Sequence, residues 1–137
     1  AEMLKIVINR IIEVLEQAGN ENVYSAFDAY SIDKKGSLFT VVSVGAFETS
    51  APIYSMYYAY LPFKAEAELN VTAAKSMSMA ELYDYYETFV EPALVKLTDI
   101  NCSLKKVAMK YDSNIQRLVL TVKIDVSGIN RIERGNE

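Results

Sequence analysis

The strongest constraint on this chain is an alternating stretch that leads into a helix signal. Between Tyr60 and Lys75, Ala65, Ala67, Leu69, Val71 and Ala73 alternate with Lys64, Glu66, Glu68, Asn70 and Thr72. A period of two puts the first set on one face of a strand and the second on the other, so one face is dry and one wet. Ser78-Met79-Ala80-Glu81 then forms a capping box. The Ser78 hydroxyl accepts from the Glu81 amide, and the Glu81 carboxylate accepts from the Ser78 N–H. Leu82, Tyr86, Phe89, Val90, Ala93, Leu94 and Leu97 follow at helical spacing. That apolar face needs a sheet to lie on.

The flanking sequence supplies one. Glu2 to Ala18 reads as a first helix, with Leu4, Val7, Ile8, Ile11, Ile12 and Leu15 as its apolar stripe and Gly19 at the C-terminal cap. Val23–Tyr30 and Leu38–Phe47 read as strands around an Asp33-Lys34-Lys35-Gly36 turn, and a hairpin is the simplest way to pair them. Pro52 keeps Glu48–Ala59 out of a sheet centre, yet Ile53, Tyr54, Met56, Tyr57 and Tyr58 are too apolar for a solvated loop. This segment is an edge strand or an arm. Pro62 confines the start of the next strand to an edge or bulge, and Pro92 kinks the second helix near Thr88–Phe89 or ends it early. Cys102–Tyr111 and Gln116–Val126 form the clearest hairpin around Asp112-Ser113-Asn114, with Ser127-Gly128 expected to end it. The expected fold is α+β: an antiparallel or mixed sheet of about five strands, in the order α-β-β-β-α-β-β, with two helices packed on one face. Residues 1–137 form a single α+β domain with a polar tail over 128–137.

The composition argues mainly by exclusion. There is no histidine, which removes the commonest general base and metal ligand and every Ser-His or Cys-His pair. The net charge is −4 and the basic residues are scattered, so no stripe suits nucleic acid. The single cysteine, Cys102, cannot form an internal disulfide, which fits a reducing compartment. No apolar run reaches membrane-spanning length, and the expectation is a soluble, cytoplasmic protein without membrane contact.

Three motifs have plain structural readings. Glu81, Asp84, Glu87 and Glu91 lie mainly opposite the apolar stripe and read as a solvated acidic face rather than a metal or acid–base site. Asp112-Ser113-Asn114 lacks the glycine and distal glutamate of a calcium loop. Asn70-Val71-Thr72 matches the glycosylation sequon but falls mid-strand. No cofactor, metal or catalytic residue is assigned, and the chain is read as a non-enzyme.

Tyrosine is the distinctive signal, at ten residues with no tryptophan. One group is Tyr54, Tyr57, Tyr58 and Tyr60; another is Tyr83, Tyr85 and Tyr86. Such rings suit a core, a protein interface or a stacking platform for single-stranded nucleic acid, though net acidity opposes the last. In the Pro52-bounded arm, interface is favoured over core. The candidate interface is Ile53, Tyr54, Met56, Tyr57, Tyr58 and Tyr60.

The order of helix, hairpin, arm-like connection, alternating strand, capped helix and final hairpin resembles the small tail-terminator (tail-completion) proteins of long-tailed bacteriophages and prophages. The most similar passage is Ala65-Glu66-Ala67-Glu68-Leu69-Asn70-Val71 running into the Ser78-capped helix. The resemblance implies a non-enzymatic structural protein. It would assemble with itself as a ring, typically a hexamer, to end a tail tube and offer a head-joining face. Tail-tube and head-completion proteins would be its partners and the virion its location. The alternative is a small-molecule-binding α+β domain with a Tyr/Met-lined pocket between helices and sheet.

Overall fold

A computed structural model describes residues 2–26, 38–97 and 100–134. It is an α+β fold with a mixed sheet. Helix α1 (Glu2–Gln17) is followed by β1 (Val23–Ser25), β2 (Phe39–Thr49), β3 (Ile53–Tyr54) and β4 (Tyr58–Thr72). Helix α2 (Met79–Tyr85) continues through a π-helical turn (Tyr86–Val90) into α3 (Glu91–Val95), before β5 (Asn101–Asp112) and β6 (Arg117–Glu133). The strands lie in the order β1-β2-β4-β6-β5, with β3 paired to β4.

The alternation in β4 decides which face is packed. Ala65, Ala67, Leu69 and Val71 are buried, as are Leu120, Val122, Ile124 and Val126 of β6 beside them. Both helical bodies cover this face: Val7, Ile8, Ile11 and Leu15 of α1 share one cluster with Leu82, Tyr86, Val90, Ala93 and Leu94. Burying a large aliphatic side chain contributes roughly 1.5–3 kcal/mol, so the two stripes hold the layers together. The other face is open and polar. There Lys105 pairs with Glu66 at 3.0 Å, and the Thr121 hydroxyl donates to Asn70 Oδ1 at 2.7 Å.

Local signals account for the helix ends. Gly19 has φ +105°, where a side chain is strained, and it closes α1 with bonds from its N–H to Glu16 O (3.1 Å) and from Asn20 N–H to Leu15 O (3.0 Å). The Ser78 capping box is present in both directions, at 3.2 and 3.1 Å. Pro92 acts differently from a simple kink. It has no N–H to offer Thr88, and the helix widens upstream so that Glu91 N–H reaches Tyr86 O, five residues back.

Two expectations are corrected. Strands β1 and β2 are parallel, Val23 opposite Thr40, and not a hairpin. The connection between them is about a dozen residues, long enough for a crossover. It includes the Asp33-Lys34-Lys35-Gly36 turn, which lies outside the described residues. Strand β6 also does not stop at Ser127-Gly128. It pairs with β4 as far as Tyr58–Glu133, so the segment read as a polar tail begins as strand. Gly128 sits opposite Phe63, whose ring fills the space a side chain would need.

Candidate interaction surface

Proline placement separates one end of the sheet from the rest. Phe63 is the last β4 residue opposite β2, paired with Thr49. The next pair would be Ser50–Pro62. Ser50 N–H does donate to Pro62 O (3.0 Å), but Pro62 has no N–H to return. The β2–β4 ladder therefore ends there. The expectation of an edge or bulge is corrected: the start of β4 lies between β3 and β6, and Pro62 is accommodated because its donorless side faces the break between β2 and β3.

Beyond Pro62 the chain forms a small arm of three strands. Ile53 pairs with Tyr60 and Tyr54 with Ala59, while β6 supplies Ile129 to Glu133 on the far side. Met56 and Tyr57 make the tip. Ser55 closes it, its N–H donating to Tyr58 O at 2.8 Å and its Oγ lying 3.2 Å from the Tyr58 N–H. Arg134 locks the tip to β6. Its N–H donates to Tyr57 O (2.9 Å), Nη1 donates to Ser55 O (2.6 Å), and Cζ lies 5.2 Å from the Tyr54 ring. Arg131 lies over Tyr58 at 4.5 Å, the geometry of a cation–π contact.

Both faces of the arm carry apolar side chains, with Arg131 and Glu133 among them on one face and Asn130 on the other. Register puts Ile53, Tyr58, Tyr60, Pro62 and Ile129 on the open-face side, and Tyr54, Ala59, Leu61 and Ile132 on the side the helices cover farther along. Six of the twelve exposed large hydrophobics among the described residues are here: Ile53, Tyr54, Met56, Tyr57, Ile129 and Ile132. Their clustering separates them from the isolated surface apolar residues found on any protein. Of the six candidate interface residues, Ile53, Tyr54, Met56 and Tyr57 are exposed, whereas Tyr58 and Tyr60 are half-buried within β4. Ile129, Ile132, Arg131 and Arg134 join them. Their signal is hidden in the sequence because they fall in the stretch expected to be a polar tail.

The second tyrosine group has a different role. Tyr86 is buried, and burial with Glu91 nearby pushes its pKa up to about 12. Tyr85 is half-buried and donates to Asn20 Oδ1 at 2.7 Å, and burial raises its pKa. Only Tyr83 is largely exposed. Cys102 is half-buried, and desolvation raises its thiol pKa, the opposite of nucleophile activation.

The expected pocket between helices and sheet is not where the hollows lie. Leu69, Val71, Leu82, Val90 and Leu120 fill that layer, each fully buried. A shallow hollow of about 510 Å³ lies instead on the opposite face, among Glu48, Lys64, Glu66, Lys105 and Asp125. It is lined by neither Tyr nor Met. Among the described residues no cluster of His, Cys, Asp or Glu is placed to hold a metal, and no helix is long and apolar enough to cross a membrane.

Comparison with known proteins gives structures only. No protein-family model and no curated protein matches the chain. A crystal structure of the type 4 fimbrial biogenesis protein PilO from Pseudomonas aeruginosa is similar at 10% identity and TM-score 0.31, over 93% of this chain and 69% of that one. The core region of PilO from the type IV pilus system of the same organism is similar at 14% identity and TM-score 0.25, over 70% and 84%. A protein from Akkermansia muciniphila is similar at 7% identity and TM-score 0.29, over 99% and 79%. The tail-terminator reading is corrected here: the named matches are pilus biogenesis structures, not phage tail proteins. The tail-tube and head-completion partners go with it. At these scores nothing of what PilO does carries over to this chain.

Proposed function

We propose that this chain is a non-catalytic assembly module that engages another protein chain through its β-arm. One observation carries the reading: the arm, from Ile53 to Tyr60 and from Ile129 to Glu133, exposes apolar side chains on both faces, beside Asn130, Arg131 and Glu133, and none of its residues belongs to the buried core cluster. A sheet segment with two apolar faces is at home when both are covered. The rings add large contact area at low entropic cost, and Arg131 and Arg134 supply the charged residue type most common at interface centres. The local bonding supports the same role. The tip is held by Ser55 and Arg134, so the surface is organised before any partner arrives.

The test is site-specific photo-crosslinking in cells that produce the protein. A photoreactive phenylalanine analogue replaces Tyr57 at the tip or, as a comparison, Tyr83 on α2, which is also exposed. The reading expects discrete protein adducts from position 57 and not from position 83. Adducts absent from position 57, or equal at both, would contradict it.

A further inference from the structure

Among the described residues, the arm carries an unpaired strand edge whose charge pattern is complementary to itself. Strand β5 pairs with β6 only as far as Asn101–Ser127. From Gly128 to Glu133 the far edge of β6 has no strand partner among the described residues. Arg134 N–H points toward Tyr57, on the β4 side. Backbone groups alternate in an antiparallel ladder, so the N–H and C=O of Ile129, Arg131 and Glu133 point outward from the free edge. Strand β5, an edge strand on the same side of the sheet, is protected by contrast: it is bulged at Leu104–Lys106 and carries Lys105, Lys106 and Lys110.

Two copies can meet at this edge in only a few antiparallel registers, because outward-facing residues must oppose outward-facing residues. Centring the pair on Arg131 sets like charges directly opposite, which is destabilising. Centring it on Ile132 sets Arg131 opposite the partner's Glu133, twice by symmetry, with Ile132 against the partner's Ile132 on the other face. Both arginine–glutamate pairs then fall on hydrogen-bonded positions. Ile132 is 46% exposed, and neither Arg131 nor Glu133 is in an ion pair among the described residues.

We infer that two copies of this chain associate through the free edge of β6 in the Ile132-centred register, continuing the sheet across a two-fold axis. This rests on the arm being an interaction surface and names its occupant as a second copy. The interface is isologous, as closed two-fold dimers require. The backbone supplies affinity and the alternating side chains supply register.

The register is tested by charge reversal and mixing, with mass read by light scattering over a concentration series and fold checked by circular dichroism. The wild-type chain is expected to dimerise. Arg131→Glu and Glu133→Arg should each weaken self-association by more than about tenfold, because each sets like charges opposite one another twice. An equimolar mixture of the two variants should recover the dimer, since every opposed pair is again Arg with Glu. The double variant Arg131→Glu/Glu133→Arg should recover it as well. Single variants that dimerise like the wild type, a mixture that stays monomeric, or a wild-type chain monomeric at all concentrations would each overturn the inference. Adducts from Tyr57 alongside any of these results would leave the arm as an interface for a different chain, whereas no adducts would remove the arm reading itself.

Discussion

The Phe63 ring lies directly over Gly128, its opposite number on β6. A Cβ at Gly128 would stand 3.0 Å from Phe63 Cζ and 3.2 Å from Ile100 Cγ2. Phe63 is also stacked on Phe47, with ring centroids 5.7 Å apart, so it has little room to move away. This contact marks where the helix-covered sheet gives way to the arm. Gly128→Ala is expected to cost about 1–3 kcal/mol of stability by overpacking. Combining it with Phe63→Leu should cost less than the two separate losses together, because the clash is shared. Denaturant unfolding of the three variants measures this, and strict additivity would show that the ring does not set the cost.

A single buried side chain joins three elements on the other side of the core. Asn20 Nδ2 donates to Leu15 O (2.8 Å) and to Phe89 O (2.7 Å), and its Oδ1 accepts from the Tyr85 hydroxyl. Asn20 thus ties the end of α1 to the π-helical turn. Asn20→Ala is expected to lose roughly 2–4 kcal/mol, since it removes three side-chain hydrogen bonds at once and leaves the half-buried Tyr85 hydroxyl without its acceptor, and Tyr85→Phe about 1 kcal/mol. Equal losses from the two substitutions would contradict this ranking.

Stability should fall at alkaline pH. Burial raises the pKa of Tyr85 from its ordinary value of 10.0, raises Cys102 from 9.0, and takes Tyr86 to about 12. For each group the unfolded chain ionises first. The stabilising contribution is complete below the unfolded value and is lost as pH rises through the folded one. The unfolding free energy is therefore expected to decline from near pH 9 to near pH 12, and Tyr86→Phe should make the upper part of that decline shallower. An unchanged slope in Tyr86→Phe would place the titration elsewhere.

The tip can be altered without touching the core. Met56 and Tyr57 are 78% and 65% exposed, so Met56→Asp combined with Tyr57→Asp should change stability by no more than about 0.5 kcal/mol per site. A thermal melt close to the wild type checks this. Outright unfolding would mean that the tip belongs to the core.

Much of this architecture was legible in the sequence, and the failures have local causes. The alternation through Ala65–Val71 and the Ser78 capping box each have one solution, and both appear as read. Pro52 and Pro62 marked off the arm because a missing donor restricts where a strand can pair. The parallel β1–β2 pairing was hidden because a turn signal at Asp33–Gly36 says nothing about whether the returning strand lies antiparallel or crosses over. Ser127-Gly128 looked like a break because the reason for Gly128 is a ring 65 residues earlier in the chain (Phe63), invisible to any local window. The two tyrosine groups have the same composition. What distinguishes them is the helical spacing that turns Tyr86 inward and the proline-bounded hairpin that holds Tyr54 and Tyr57 outward.

The most direct test of the account is amide hydrogen exchange followed at peptide resolution across protein concentration. Rising concentration is expected to slow exchange in the arm, over 53–60 and above all over 129–133, and to leave the β5 edge unchanged. Protection that develops along β5 or the open polar face, with the arm exchanging freely throughout, would contradict it.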